Sequence, residues 1–351
     1  MRILQNIATT LAAYLFMTYL PCSAQDKHVD AQQFMQAKCF ACHSNTHGLV
    51  DWQRFASSEG PDLSFSGSKY QAEWLEQWLQ HPVSIRPGGY LPFKVTVSTP
   101  TGDKIDNTRV PAHVALSPEE AKAVVSYLET LTREASPYPQ PSATNEVRAE
   151  VYFRKLLPCA GCHSAAGKGG GLSGPELDDV GKRLKPEWIS AYIADPSAWQ
   201  RTAMPKTALS GDQIDAITKY LLAAPAKETA RQSSGSVTGT PISKPASRAE
   251  AIYQVLCTQC HGITGNGKGI NAPYLFVSPR DHTSFDEMSA LTDDRITAAI
   301  KYGGTAVGKS ALMPSWAGVL SDSDVQLLVQ YLRQISGTQA KNNTEREQYG
   351  Q

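Results

Sequence analysis

Three segments of the chain place apolar side chains at helical spacing directly after a helix-capping signal. Ser117-Pro118-Glu119-Glu120 combines a Pro suited to the first helical position with a Glu that can complete a capping box. Ser210-Gly211-Asp212-Gln213 repeats the signal, and Ser321-Asp322-Ser323-Asp324 carries a shorter acid. In each case apolar residues then recur every three or four positions, which is typical of a helix with one buried face. The pattern therefore predicts three amphipathic helices.

A shorter amphipathic stretch precedes a cysteine upstream of each of these helices. These stretches are residues 34–37, 151–157 and 252–256. Together the two patterns predict three similar units. Each unit has a first helix, a loop that begins at the cysteine, a middle helix and a last helix.

An internal repeat supports the same division. Residues 60–82 align with residues 174–196 without a gap, sharing a Gly-Pro-x-Leu start, a Glu-Trp pair and a final Pro. A more distant third copy keeps Ala-Pro-Tyr-Leu at residues 272–275. A repeat of this length fits tandem domains rather than a solenoid.

Two segments with the composition of linkers separate the units. Residues 136–141 form a proline-rich spacer, and residues 225–247 are rich in Ser, Thr, Gly and Pro. We therefore predict three domains, at residues 26–135, 146–224 and 248–337.

The N-terminus has the pattern of a secretory signal peptide. Arg2 precedes an apolar stretch, residues 7–20, that is shorter than a comfortable membrane span. Small residues follow, so we predict a signal peptide at residues 1–24, with cleavage after Ala24 that removes Cys22. Lipidation of Cys22 or an uncleaved anchor is the alternative. The mature protein is expected in the periplasm, with no membrane span after cleavage.

Charge and cysteine content narrow the possible functions. The chain has 33 basic and 33 acidic residues, so no strong basic field favours nucleic acid as a partner. Of its seven cysteines, six lie in three copies of Cys-x-x-Cys-His.

These three motifs match the signature for covalent attachment of c-type haem. The motif cysteines are Cys39, Cys42, Cys159, Cys162, Cys257 and Cys260, and the adjacent histidines are His43, His163 and His261. Both thiols of a motif add to the haem vinyl groups, and the histidine becomes the proximal iron ligand. A single motif would also fit a redox-active cysteine pair or half of a zinc site. Three copies favour three covalently bound haem c groups (iron).

With these motifs, the chain resembles three fused class I cytochrome c domains. The third copy has the fullest set of landmarks, with a glycine-rich loop at residues 262–269 and Met313-Pro314-Ser315-Trp316 further on. The resemblance implies an all-α fold of three tandem cytochrome c-like haem-binding helical domains and an electron-carrying function. It also implies that the carbonyls of Pro61, Pro175 and Pro273 bind the proximal histidines and orient them.

The sixth iron ligand distinguishes the three sites. A Met thioether raises the reduction potential, a His lowers it, and a vacant position permits ligand binding or catalysis. Met204 and Met313 each precede a Pro and lie shortly before the last capping box of their domain. We therefore assign them as the sixth ligands of the second and third haems. Met288 is a weak competitor, because Met is more often a core residue.

The first domain departs from this pattern because no Met follows its motif. Leu91-Pro92 stands where the second domain has its Met-Pro pair, and Leu cannot bind iron. An insertion at about residues 93–114 follows and contains His113, which we take as the candidate sixth ligand. His81, at a predicted helix end, and an open or water-ligated iron are the alternatives.

Two classes of function fit these sites. We favour a periplasmic triheme cytochrome that transfers electrons between redox proteins, and it could be the electron-transfer subunit of an exported dehydrogenase, reductase or oxidase. The alternative is a multihaem enzyme, peroxidase-like or a reductase, with an open catalytic haem in the first domain. No residue spacing marks out acid–base groups for such an enzyme.

Overall fold

The computed structural model describes residues 30–46, 50–134, 146–224 and 236–339. The predicted signal peptide, the first predicted linker and about half of the second lie outside these residues. Within them the chain is mostly α-helical and has one small antiparallel sheet. None of the helices in this part of the chain combines the length and the apolar character that a membrane crossing requires.

Residues 30–134 form a helical unit around a core built on its last helix. The helices are α1 (Ala31–Lys38), α2 (Trp52–Ser57), α3 (Ser66–Lys69), α4 (Ala72–Gln80) and α5 (Pro118–Thr130). The predicted capping box is confirmed, because Ser117 accepts from the Glu120 amide while the Glu120 carboxylate accepts from the Ser117 amide. Apolar side chains of α5 pack in one buried cluster with Met35 on α1 and Leu75 on α4.

Residues 146–224 repeat this arrangement. The helices are α6 (Glu146–Val151), α7 (Val180–Arg183), α8 (Pro186–Ala194) and α9 (Gly211–Leu222), and a π-helical turn, Tyr152–Leu156, continues α6 toward the second motif. The capping box of Ser210 with Gln213 is confirmed at the start of α9. This helix packs on α6 and α8, and Ile217 lies in the buried cluster between them.

Residues 236–339 hold the third helical unit. Its helices are α10 (Arg248–Leu256), α11 (Thr258–His261), α12 (Phe285–Ser289), α13 (Asp293–Tyr302) and α14 (Asp322–Ser336). Ser321 and Asp324 form the predicted capping box of α14. Arg333 on α14 is buried, and its guanidinium donates to the Asp293 carboxylate and to the Met288 carbonyl. This ion pair ties α14 to α12 and α13.

The residues inserted in the first domain form a β-hairpin, which departs from the all-α expectation. Strands β1 (Thr96–Thr99) and β2 (Gly102–Ile105) pair antiparallel, and β3 (Thr240–Pro241) pairs with the other edge of β1. The hairpin docks on the glycine-rich loop, where the Asp103 amide donates to the Lys268 carbonyl (2.8 Å). The Asp103 carboxylate accepts from the Ile263 amide (2.7 Å). The insertion therefore joins the first domain to the third.

The apolar core also crosses the predicted boundary between these two domains. Trp52 and Phe55 on α2, together with Leu91 and Phe93, are buried in one cluster with side chains of α10 and α14. Helix α2 packs directly on α10. Leu91, which stands where a Met ligand was expected, is therefore a core residue of this junction.

The first and second domains meet across an approximate two-fold axis that relates the two copies of the repeat. Tyr70 and Leu184 occupy equivalent positions of the repeat, and they form an antiparallel β-bridge. Two flanking backbone hydrogen bonds, each 2.9 Å long, are counterparts of each other in the repeat. Gln71 donates to Arg183, and Lys185, the counterpart of Gln71, donates to Lys69, the counterpart of Arg183. The same segment of each domain thus forms the contact.

Candidate haem sites

Each Cys-x-x-Cys-His motif folds into the same tight turn after the first helical segment of its domain. The amides of the second cysteine and of the histidine both donate to the carbonyl of the first cysteine, over distances of 2.9 to 3.2 Å. The accepting carbonyls are those of Cys39, Cys159 and Cys257. The local backbone therefore has one geometry at all three motifs.

A backbone carbonyl holds the imidazole in the first two motifs, as the resemblance implied. Nδ1 of His43 lies 2.9 Å from the Pro61 carbonyl, and Nδ1 of His163 lies 2.8 Å from the Pro175 carbonyl. A carbonyl oxygen can only accept, so Nδ1 must carry the proton. The Nε2 lone pair is then left to bind a metal.

The third motif uses a different carbonyl, and the expectation for Pro273 was wrong. Nδ1 of His261 lies 2.9 Å from the Arg280 carbonyl. Pro273 instead lies in a short 3-10 turn, Ala272–Tyr274, directly after the glycine-rich loop. The imidazole is nevertheless oriented in the same way, with Nε2 free for a metal.

Two glycines allow the segment with the accepting proline carbonyl to lie close to the histidine ring of its motif. A Cβ at Gly60 would lie 2.7 Å from the His43 ring, and a Cβ at Gly174 would lie 2.5 Å from the His163 ring. Any other residue at these positions would displace the imidazole. This close approach explains why the repeat opens with Gly-Pro.

Burial sets the protonation states of the motif side chains. It lowers the pKa of His163 to about 4 and lowers the pKa of His43 and of His261 as well. Metal binding requires the neutral imidazole, so these environments fit a ligand role. Burial also raises the pKa of the Cys159 and Cys257 thiols to about 12. Redox-active cysteine pairs depend on lowered thiol pKa values, so that alternative fits poorly.

His113 lies beside the proximal histidine of the first motif. The ring centres of His43 and His113 are 6.1 Å apart. With metal–nitrogen bonds of about 2.0–2.1 Å, two imidazoles that bind one metal through Nε2 have ring centres about 6 Å apart. Nδ1 of His113 lies 2.9 Å from the Val114 carbonyl, which leaves its Nε2 available. The structure thus brings together the two imidazoles that the sequence assigned to this site.

The neighbours of His113 separate it from the alternative ligand, His81. The ring of Trp78 on α4 packs against His113, with ring centres 4.7 Å apart. His81 ends α4 as its exposed C-terminal cap. Across the described residues, no ring contact joins His81 to His43.

Met204 and Met313 lie in half-buried loops whose backbones are fixed by hydrogen bonds. The Met204 amide donates to the Thr202 hydroxyl (3.1 Å), which in turn pairs with the Tyr192 hydroxyl (2.9 Å). The Met313 carbonyl accepts from the Gly304 amide (3.0 Å). The assignment of both thioethers as iron ligands stays a prediction.

Met288 takes the other role that the sequence allowed for it. Its side chain is 1% exposed in the buried cluster of the third domain. Met35 is likewise fully buried in the first domain. Both are core residues.

Comparison with known families places these sites in context. The family model for cytochrome c matches residues 29–132 and 150–225, which together make up just over half of the chain. The chain belongs to the cytochrome c family. A second model, described as cytochrome c oxidase, cbb3-type, subunit III, matches residues 244–332. A search of curated proteins found no match.

This multi-domain c-type cytochrome therefore binds haem c covalently and functions in electron transfer. The residues present fit that cofactor. Gly60 and Gly174 leave room for the oriented imidazoles, and each proximal Nε2 is free for iron. The six described motif cysteines are free thiols that could form the thioether bonds.

The third site contains an aromatic pair that sequence analysis missed. The ring of His282 stacks on His261 with centres 4.0 Å apart and planes inclined by 16°. This separation is too short for an iron to lie between the two rings, so His282 and His261 cannot bind one iron from opposite sides. The Tyr253 hydroxyl lies 2.9 Å from Nδ1 of His282 and fixes its position. Burial holds the pKa of His282 well below its usual range. The stack restricts rotation of the proximal imidazole.

Proposed function

We propose that this cytochrome is an exported triheme electron carrier that passes electrons between redox proteins. One observation carries the proposal. The same Cys-to-His turn occurs at three motifs, and each imidazole has its Nδ1 tied to a backbone carbonyl. Haem iron supplies one-electron chemistry by cycling between the ferric and ferrous states. The chain contributes two sulfurs and one oriented imidazole at each site.

In this proposal His43 and His113 would both hold the iron of the first haem. Their ring separation of 6.1 Å and the carbonyl bonds to both Nδ1 atoms support the assignment. A His/His pair lowers the reduction potential relative to a His/Met pair. The first haem should therefore have the lowest potential of the three, and electrons should be accepted in the first domain.

Met204 and Met313 complete the second and third sites. Each lies in a loop that is anchored by backbone hydrogen bonds, and the competing Met288 is buried in a core. A thioether ligand raises the reduction potential, so both sites should accept electrons from the first.

Export to the periplasm and redox-protein partners complete the proposal. The signal-peptide pattern at residues 1–24 supports export. The match of residues 244–332 to a model named for an oxidase subunit makes an oxidase one candidate partner, beside a dehydrogenase or a reductase. Interfaces of electron-transfer proteins tend to be small and transient.

The alternative is a multihaem enzyme with an open first haem. It requires a vacant iron position in the first domain. The approach of His113 to His43 favours the carrier, because a second imidazole at this distance would fill that position.

Intact-mass measurement of the exported protein tests the haem count and the export signal together. We expect a chain that begins after Ala24 and carries three haem groups. A variant with Cys39 and Cys42 both changed to Ala should lose one haem, and the matching pair of changes at Cys159 and Cys162 should lose another. An unmodified or two-haem chain in the wild type would contradict the proposal.

Carbon monoxide tests the carrier against the enzyme. The reduced wild-type protein should not bind it at the first haem, whereas His113→Ala should bind it there. His81→Ala is the matched control and should behave as wild type. Binding to the wild type at the first haem would favour the enzyme.

A further inference from the structure

Asn271 lies at the junction of the second and third domains, between two attachment motifs. It follows the glycine-rich loop of the third domain, and its side chain is fully buried. Its own amide donates to the carbonyl of Gln259, inside the third motif (2.7 Å). Asn271 is therefore fixed to the third motif through its backbone.

The side-chain oxygen of Asn271 binds the second domain. Oδ1 accepts from the Leu172 amide (2.8 Å) and from the Ser173 amide (3.2 Å). Nδ2 donates to the Ser173 hydroxyl (2.8 Å). One buried amide thus joins the third domain to the loop that follows the second motif.

The second hydrogen of Nδ2 faces two sulfurs that belong to different motifs. Nδ2 lies 3.9 Å from Sγ of Cys162 and 3.9 Å from Sγ of Cys260. The two sulfurs are therefore less than about 8 Å apart, and both would carry a haem thioether bond. Sulfur is a weak hydrogen-bond acceptor, and the amide has its full capacity engaged in this position.

Close packing leaves little freedom at this junction. A Cβ at Gly161, within the second motif, would lie 3.4 Å from the Leu312 carbonyl, next to Met313. A Cβ at Gly171 would lie 2.1 Å from the Gly161 carbonyl. The second motif thus lies beside the loop that holds the predicted Met ligand of the third. By contrast, Cys42 of the first motif is exposed.

We propose that Asn271 is a positioning residue that couples the second and third haems into one electron-exchanging pair, with its amide between the thioether sulfurs of Cys162 and Cys260. This inference rests on the proposed triheme function. In this arrangement the first haem lies outside the electron-exchanging pair. Asn suits the position because its oxygen accepts from the second domain while its nitrogen donates toward both sulfurs.

The test follows electron exchange between the two haems in partly reduced holoprotein by proton NMR. When an electron exchanges quickly between the two haems, each haem methyl resonance is averaged between its own oxidised and reduced positions, so that the resonances of both sites shift within the same reduction step. We expect this averaging in the wild type and its loss in Asn271→Ala. Asn266→Ala is the matched control: this residue lies in the glycine-rich loop that precedes Asn271, and its amide oxygen accepts from the Lys268 amide (3.0 Å). The control should retain the averaging.

Two outcomes would overturn the role of Asn271. One is averaging in Asn271→Ala that equals the control. The other is a wild type in which the methyl resonances of the second and third haems stay at separate oxidised and reduced positions, and this result needs no variant to fold. Haem counting by mass keeps the two proposals apart. A missing haem contradicts the triheme function, whereas three haems with unchanged exchange contradict only the role of Asn271.

Discussion

The first and second domains carry the same repeat, and comparing them separates the two sides of a haem site. Their proximal halves are alike, because His43 and His163 each bind the carbonyl of a Gly-Pro pair. Their opposite halves differ, since the second domain offers Met204 and the first offers His113 from its insertion. The proximal half is thus determined by local sequence. The predicted sixth ligand depends on which loop reaches the site.

Equivalent positions of the repeat lie next to these two predicted ligands. Trp78 in the first domain packs on the ring of His113. Its counterpart, Tyr192, bonds to Thr202, and Thr202 accepts from the amide of Met204. One helix position therefore braces the predicted sixth ligand in both domains, by ring contact in one and by hydrogen bonds in the other.

The largest expected effect comes from giving the first domain the ligand of the second. His113→Met should raise the potential of the first haem by a sizeable part of the range of about 0.8 V that axial ligands span. Potentiometric titration with spectroscopic detection measures this shift. His81→Met introduces the same residue at an exposed position and should change nothing. An unchanged reduction potential of the first haem in His113→Met would show that His113 is not a ligand of that haem.

A methyl group at the shared glycine tests the proximal half in both domains. Gly174→Ala should displace His163 and reduce the free energy of unfolding by about 1–3 kcal/mol, which is typical of overpacking. Gly60→Ala should act in the same way on His43. Denaturant unfolding of the holoprotein gives the values. Gly211→Ala is the control, because a Cβ there meets no atom within 4 Å. Equal stability of Gly174→Ala and the control would show that the close approach is unimportant.

The hairpin that only the first domain has should make stability depend on pH. Burial raises the pKa of Asp103 to about 6, although the Ile263 amide donates to its carboxylate. The folded state then binds this proton more tightly than the unfolded state, where the pKa is about 3.9. The contribution of Asp103 to stability is therefore largest below pH 4 and falls as the pH rises through about 6, by on the order of 1–3 kcal/mol.

Thermal unfolding of wild type and Asp103→Asn across this pH range measures the contribution. The variant keeps a side-chain oxygen that can accept from Ile263 and has no carboxyl to titrate. The stability difference between the two proteins should therefore change between pH 4 and pH 6. A constant difference would contradict the buried-carboxyl account.

The smallest expected effect concerns the hydrogen bond between the Tyr192 and Thr202 hydroxyls in the second domain. Tyr192→Phe removes the hydrogen bond to Thr202 and should lower the free energy of unfolding by about 1 kcal/mol. Tyr220→Phe is a matched control, because the buried Tyr220 hydroxyl has no hydrogen-bond partner among the described residues. Denaturant titration should show no loss of stability in the control. Equal effects of both changes would show that the hydrogen bond between Tyr192 and Thr202 does not stabilise the second domain.

The sequence predicted the features that depend on short segments. The capping boxes at Ser117, Ser210 and Ser321 are present, because each needs only four neighbouring residues. The carbonyl partners Pro61 and Pro175 were also expected, because the resemblance to class I cytochrome c domains implies them and both copies keep the Gly-Pro-x-Leu sequence. The attachment motifs belong to this class as well.

Features that depend on distant contacts could not be predicted. Arg280 replaces Pro273 as the partner of His261 because the third loop is too divergent for alignment to show which carbonyl reaches the ring. The hairpin is short, and its backbone hydrogen bond to Lys268 joins two residues that are more than 150 positions apart in the chain. From the sequence, Leu91 is only a residue that cannot bind iron at the position where a Met was expected. The fold shows that it is part of the core that contains side chains of α10.

Low-temperature magnetic spectroscopy of the fully oxidised protein tests the central contrast between the domains most directly. The account predicts three low-spin ferric sites, one with His/His ligation from His43 and His113, and two with His/Met ligation from Met204 and Met313. A high-spin iron in the first domain, or any other ratio of ligand pairs, would contradict it.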